Sequence, residues 1–449
     1  MFPRRARDII VDKARNLAIS FGLLVILIAA SPAQAITPGW LGPQLLTLAV
    51  AIMLFLLPGA PAADVQSSTA IFKPLAVMAL LPAAWMLLQI VPVPLGTIDH
   101  PVWRSASAAL EEALFGHVSV DLGYTLRGLF GYLSLISLTF LTSVLTRNRD
   151  RAEMILFALC TITTFIAIEL VLFRDMAAFK SDGSPTNSAA SLVALTAFGV
   201  ILNVAFIVRT TERNETRGQR KPQALRNYVG MMLLGAVGTI ICLIAMIRST
   251  TYDTLLATAF GLIVIGLVVS IRRLSLNRWT AVTVGVAVFV ACAGVIALRF
   301  AANPSISPLF RFTGIESAEA DAATLRMISD ANWAGGGVGT YQALAAIYRD
   351  VTGVPGQTAI NTITSMVLEW GRGGLLIAVV LLLQLLVVLF RGALSRGRDS
   401  FYAAAAAACL VTAFCEAFCD ASFTNITVQI IAAVTIGLGL SQTTGRRAN

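Results

Sequence analysis

Nine ionisable residues sit at the ends of apolar runs in this chain: Glu169, Arg174, Arg248, Asp253, Arg299, Glu369, Arg372, Glu416 and Asp420. Ionisable groups in or beside membrane-length segments are costly, and they mark function by default. A guanidinium fork matches phosphate oxygens and keeps its charge, so several arginines gathered at one level suit a diphosphate. A transporter would place such groups near mid-span on broken helices, whereas an enzyme working on a lipid head group would place them at helix ends. The other conspicuous stretch is "ANWAGGGVGTYQ", Ala331–Gln342. It lacks the Lys-[Ser/Thr] ending of a P-loop and the strand–helix setting of a dinucleotide site. A loop between two short amphipathic helices also explains its glycines on structural grounds alone.

The elements that must position these residues are membrane helices. Hydrophobic residues make up 57% of the 449, charged residues only 13%, and mean hydropathy is +0.80; soluble domains carry about a quarter charged residues. Twelve apolar runs are expected to span: Leu17–Ala30, Leu41–Leu57, Pro74–Val93, Gly128–Leu145, Ala152–Phe173 and Ser188–Val208 in the first half. Tyr228–Ile247, Thr254–Ile271, Thr280–Leu298, Leu375–Phe390, Tyr402–Cys419 and Ile426–Leu440 follow. Backbone in hydrocarbon must satisfy its own hydrogen bonds, so the expected fold is an all-α polytopic membrane protein forming one transmembrane domain, residues 1–449.

Basic residues set the expected orientation. With the N-terminus in the cytoplasm and strict alternation, 23 of 33 Lys/Arg and 8 of 24 Asp/Glu fall inside, giving +15 there and −6 outside. Both termini are then cytoplasmic, and the overall +9 is a topology signal rather than a nucleic-acid footprint. The nine rim residues and the glycine run all come to the non-cytoplasmic face, away from any nucleotide triphosphate pool. "SPAQA" (Ser31–Ala35) ends in the Ala-x-Ala pattern of a cleavable signal, while the closely following second span argues for its retention.

Six cysteines fall in spans, with no ligand spacing to the only histidines, His100 and His117, so no metal or other cofactor is expected. A long, partly helical outer loop, 299–372, precedes the tenth span. It opens on the breaker cluster "NPSISP", carries helical spacing through Ile315, Ala318, Ala322, Leu325 and Ile328, and continues after the glycines as "YQALAAIYRD". Ala359–Trp370 reads as an outer-level half-helix broken at "GRGG". A second outer loop, about Leu95–Arg127, holds "DHPVWRS" and "GHVSVDLGYT".

Taken in order, "LLQIVPVPLGTIDHPVW", "VSVDLGYT", "SPTNSAASL", "RSTTYDTLLA", "LRMISDANWAGGGVGTY" and "AINTITSMVLEWGRGG" make the chain resemble the O-antigen ligase and O-antigen polymerase superfamily of bacterial inner-membrane proteins. Arg326 falls where that family has an arginine on a short helix; Gly337, Gly339, Thr340 and Tyr341 match its glycine stretch. Asn361, Glu369, Gly371 and Gly374 match its His-Asn…Glu-x-Gly-x-x-Gly pattern. Ile360 replaces the family histidine, which favours a polymerase over a ligase.

The resemblance implies a metal-independent glycosyltransferase on the periplasmic face, using an undecaprenyl-diphosphate-linked oligosaccharide as donor. Arg248 and Arg326, with Arg174 or Arg372, would hold the diphosphate and stabilise the leaving group. Glu369, or else Asp330, would orient or deprotonate the acceptor hydroxyl. Gly337, Gly339, Tyr341 and Asn361 would form a substrate loop. Partners would be the lipid-linked oligosaccharide, membrane lipid and polysaccharide export or chain-length proteins, and not nucleic acid. A ligase proper and a lipid-linked oligosaccharide flippase are the alternatives.

Overall fold

The computed structural model describes residues 4–36, 41–96, 98–173, 187–217, 222–249, 252–273, 324, 326–348, 361–395 and 399–443. These are helical almost throughout, and the sole β pairing among them is one bridge, Val93 to Gly116. The chain is an all-α polytopic membrane protein. Its helices are α1 (Arg4–Ile36), α2 (Leu41–Leu56), α3 (Ala62–Ile90), α4 (Pro101–Leu110), α5 (Leu122–Leu145), α6 (Arg149–Phe173) and α7 (Asn187–Arg217). Then come α8 (Pro222–Arg248), α9 (Tyr252–Arg273), α10 (Tyr341–Ile347), α11 (Thr362–Ser395), α12 (Ser400–Glu416) and α13 (Ile426–Ser441).

Eleven of the twelve expected spans coincide with apolar helices. Nine of those helices are long enough to cross a bilayer, and α12 and α13 are shorter. The expected span Thr280–Leu298 lies outside the described residues, as do Arg174, Arg299 and the first part of the long loop. The third span starts earlier than expected, because helix continues from Ala62 through the polar turn Ser67–Thr69.

Position in the bundle follows composition. Helix α7 is central, with 83% of its apolar window buried, whereas α11 is peripheral, with 11%. Helix α12 packs against α7, α9, α11 and α13. Its run Ala403–Ala408 is fully buried, since small side chains let backbones approach where lipid supplies no hydrophobic drive.

Charged residues converge at one end, here the basic end. Glu153 on α6 pairs with Arg149, Arg209 and Arg213. Arg149 also pairs with Asp399 at 2.9 Å, and Arg272 bridges Glu212 and the Ser400 hydroxyl. Arg147 donates to the Ser441 carbonyl at 2.6 Å and Gln442 donates to the Thr146 carbonyl at 2.8 Å, closing the C-terminus of α13 onto α5. The first turn of α5, the last turns of α3 and the glycine run meet at the opposite, loop end.

Candidate functional site at the loop end

The loop end is organised by a break in α11. Gly371 has φ 70 and ψ 178, a region essentially closed to other residues, so Thr362–Trp370 forms a half-helix set off from the crossing that follows. This is the break expected at "GRGG". Carbonyls at such a break need donors from elsewhere. Gly336 N–H donates to Leu368 O at 2.8 Å, and Gly337 N–H to Glu369 O at 3.0 Å. The Gln89 amide, reaching up from α3, donates to Glu369 O at 2.9 Å and to Ala334 O at 2.7 Å. The Trp85 indole closes Trp370 O at 2.7 Å.

Glycine is needed where the two strands of chain touch. Gly335 (φ 78) and Gly371 lie backbone on backbone, and a Cβ on either would run into the other's amide. The glycine run therefore caps a broken helix. The Gly335, Gly336 and Gly337 amides are engaged by the carbonyls of Asn332, Leu368 and Glu369.

Glu369 belongs to the same brace. Its carboxylate accepts the Tyr341 N–H at 3.1 Å, the Gly339 N–H and the Ser365 hydroxyl, tying α10 to the half-helix. Tyr341 is buried behind it. Asn361 is the N-cap of α11: Oδ1 accepts Thr364 N–H at 2.7 Å, and Nδ2 donates to Phe418 O at 3.2 Å. Its side chain is wholly buried. Gly337, Gly339, Tyr341 and Glu369 are thus brought together as parts of a scaffold, and Asn361 caps the far end of the same half-helix.

Asp330 is placed differently. It faces a cavity of about 380 Å³ between α4 and the segment 327–348, with His100, Ser105, Asn332 and Tyr348 around it and Met327, Leu344 and Leu368 beneath. Tyr348 O–H donates to Asp330 Oδ2 at 3.0 Å, and the Ser329 hydroxyl reaches Oδ1 at 3.3 Å. Burial, with the neighbouring Asp330, raises the Tyr348 phenol, so it stays a hydrogen-bond donor. His100 caps α4 by accepting the Val102 N–H on Nδ1 at 3.3 Å. That bond assigns the ring proton to Nε2. Burial lowers the imidazole pKa, opposed by the Asp99 charge, so His100 is neutral.

The wall carrying His100 is stiff. Trp103 donates to Ser119 O at 2.9 Å, the His100 backbone N–H donates to His117 O at 2.8 Å, and buried Asp99 accepts the Gly96 N–H at 2.7 Å.

Arg248, Arg326 and Arg372 are exposed, and none of them lines this cavity. Arg326 does lie one helical turn before Asp330, on the same face of the short helix 326–330. Among the described residues no group of three or more His, Cys, Asp or Glu could hold a metal ion. Sequence reasoning missed His100, Tyr348, Gln89 and Trp85. The visible signals were a histidine directly before the Pro101 helix start and a glutamine inside an apolar run. No protein-family model and no curated protein matches the chain.

Proposed function

We propose that this chain is a glycosyltransferase of the bacterial inner membrane. It moves an undecaprenyl-diphosphate-linked oligosaccharide onto a sugar hydroxyl at the periplasmic face, and polymerisation is favoured over ligation. The observation that carries this reading is the cavity at the loop end, where Tyr348 orients the Asp330 carboxylate with Arg326 one turn away.

In this reading Asp330 takes the role that the sequence offered first to Glu369. It accepts the proton or orients the lone pair of the attacking hydroxyl. Arg326 holds the diphosphate and offsets the charge growing on it as the glycosidic bond breaks, assisted by Arg248, Arg372 and Arg174. Glu369 keeps the half-helix, the glycine run and α10 in register. Export or chain-length proteins would receive the product. The excess of basic residues at the opposite end of the bundle supports a cytoplasmic position for that end and for both termini.

A second reading, transport of the same lipid-linked oligosaccharide, draws on Glu416. It is fully buried at the end of α12, with neither carboxylate oxygen partnered among the described residues, and such groups line pathways in carriers.

Protein reconstituted with a lipid-diphosphate oligosaccharide separates the two readings: enzyme gives longer saccharide, and a carrier moves the unchanged lipid between leaflets. Arg326→Ala should abolish chain growth at unchanged protein level, and unchanged product length would reject its assignment.

A further inference from the structure

The cavity has the make-up of a sugar seat. Its floor is apolar and buried: Met327 is 5% exposed, Leu344 6% and Leu368 3%. Its walls carry polar groups that the fold leaves unengaged. The His100 Nε2–H, the Ser105 hydroxyl and the Asn332 amide have no hydrogen-bond partner among the described residues. Asp330 keeps acceptor capacity beyond its bonds to Tyr348 and Ser329. A pyranose presents the complement, an apolar ring face ringed by hydroxyls that both donate and accept. Trp333, 71% exposed and adjacent to Asn332, offers a further aromatic surface at the edge. The volume, about 380 Å³, falls among small-molecule pockets, which run from about 300 to 1,000 Å³.

Charge narrows the occupant. Among the described residues, the one acidic side chain of the lining is Asp330. Among the described residues no lysine or arginine lines the cavity, and the nearest basic residue on α4, Arg104, points its guanidinium 3.7 Å from buried Asp99. The amides of Gly335 and Gly336 are taken by Asn332 O and Leu368 O. A uronate here would sit beside the Asp330 carboxylate, with Arg326 one turn away and outside the lining and no basic side chain among the described residues of the wall itself.

We infer that the cavity between α4 and the glycine run seats the acceptor sugar, and that it selects a sugar residue without negative charge. His100 and Asn332 donate to its hydroxyls and Asp330 accepts from the hydroxyl that reacts. The naming of that sugar as acceptor rests on the glycosyltransferase reading; the charge selectivity rests on the cavity alone.

The test uses the full-length protein in nanodiscs and a panel of neutral and uronate trisaccharides of equal length, with binding read by saturation-transfer NMR. Neutral members should bind and uronates should not. His100→Ser keeps the α4 cap, because the serine hydroxyl oxygen accepts the same backbone N–H, but its short side chain withdraws the imidazole donor from the cavity; it should weaken neutral binding about fivefold to tenfold. Asp330→Asn should weaken neutral binding and admit uronates. Uronate binding equal to neutral binding, no binding by any member, or neutral binding indifferent to both variants would each overturn the inference. Transfer from the lipid-diphosphate donor is measured separately on the same nanodiscs. Transfer without charge-selective binding sinks the inference and leaves the proposed activity standing; selective binding without transfer does the reverse.

Discussion

The two ends of the bundle use polar residues in opposite ways. At the basic end, charges turn on one another: Glu153 gathers three arginines, Arg272 joins Glu212 to Ser400, and Arg147 closes α13 onto α5. At the loop end the backbone is just as fully engaged, through Gln89, Trp85 and the glycine run, yet His100, Ser105 and Asn332 face a cavity with hydrogen bonds to give. Groups that satisfy each other hold helices together. Groups held rigid but left unsatisfied are prepared for a ligand. The same contrast separates two carboxylates: Glu369 is closed in by three donors, and Asp330 is held by the Tyr348 and Ser329 hydroxyls at the exposed cavity.

Breaking the scaffold should have the largest effect. Gly371→Ala forces a side chain into a glycine-only conformation and into the Trp333 carbonyl, a loss of about 3 kcal/mol or more. The expected outcome is collapse of the detergent-solubilised protein in size-exclusion chromatography; a monodisperse variant of normal melting temperature would show that the break does not carry the fold. At the basic end, Glu153→Gln leaves Arg209, 4% exposed, without its carboxylate partner, a loss of roughly 3 kcal/mol. Melting temperature should fall while transfer activity per folded molecule is kept, which sharpens the division between the two ends.

The smallest effect concerns pH. Asp420, past the end of α12, accepts the Ser422 N–H at 2.9 Å, which lowers its pKa, but burial dominates and the Asp253 charge adds to it, so the carboxyl rises from 3.8 to about 6. An acid raised on folding contributes stability that is complete below the unfolded value and is lost as pH climbs through about 6. Melting temperature should therefore decline between pH 4 and 7 by roughly 2 °C on this group's behalf. Asp420→Asn, which keeps the acceptor for Ser422, should flatten that part of the profile. An unchanged slope would remove the assignment.

Much of this was legible in the amino-acid order, and for a physical reason: lipid leaves helix as the only arrangement for long apolar runs. The break at Gly371 and the short helix after the glycines were legible too, because glycine and helical spacing act locally. The purpose of the glycine run was not. It depends on Trp85 and Gln89, some 245 to 285 residues away in the chain, meeting carbonyls that exist only once the half-helix breaks. Glu369 was ranked above Asp330 because residue type shows what a group can do and not which donors surround it. His100 was weighed as half of a histidine pair lacking metal spacing, and its cavity is formed by a loop that lies more than two hundred residues away. Arg326 is placed beside Asp330 by a single helical turn; like Arg248 and Arg372 it is exposed and outside the cavity lining.

The most direct measurement is a single-turnover transfer rate for purified Asp330→Asn, with lipid-diphosphate oligosaccharide as donor and a matched melting temperature as control. The substitution preserves the Tyr348 contact and removes only the ionised acceptor. A rate lower by about 100-fold to 10,000-fold is predicted. Transfer at the wild-type rate would contradict the role given to the cavity and return the carboxylate's task to another residue.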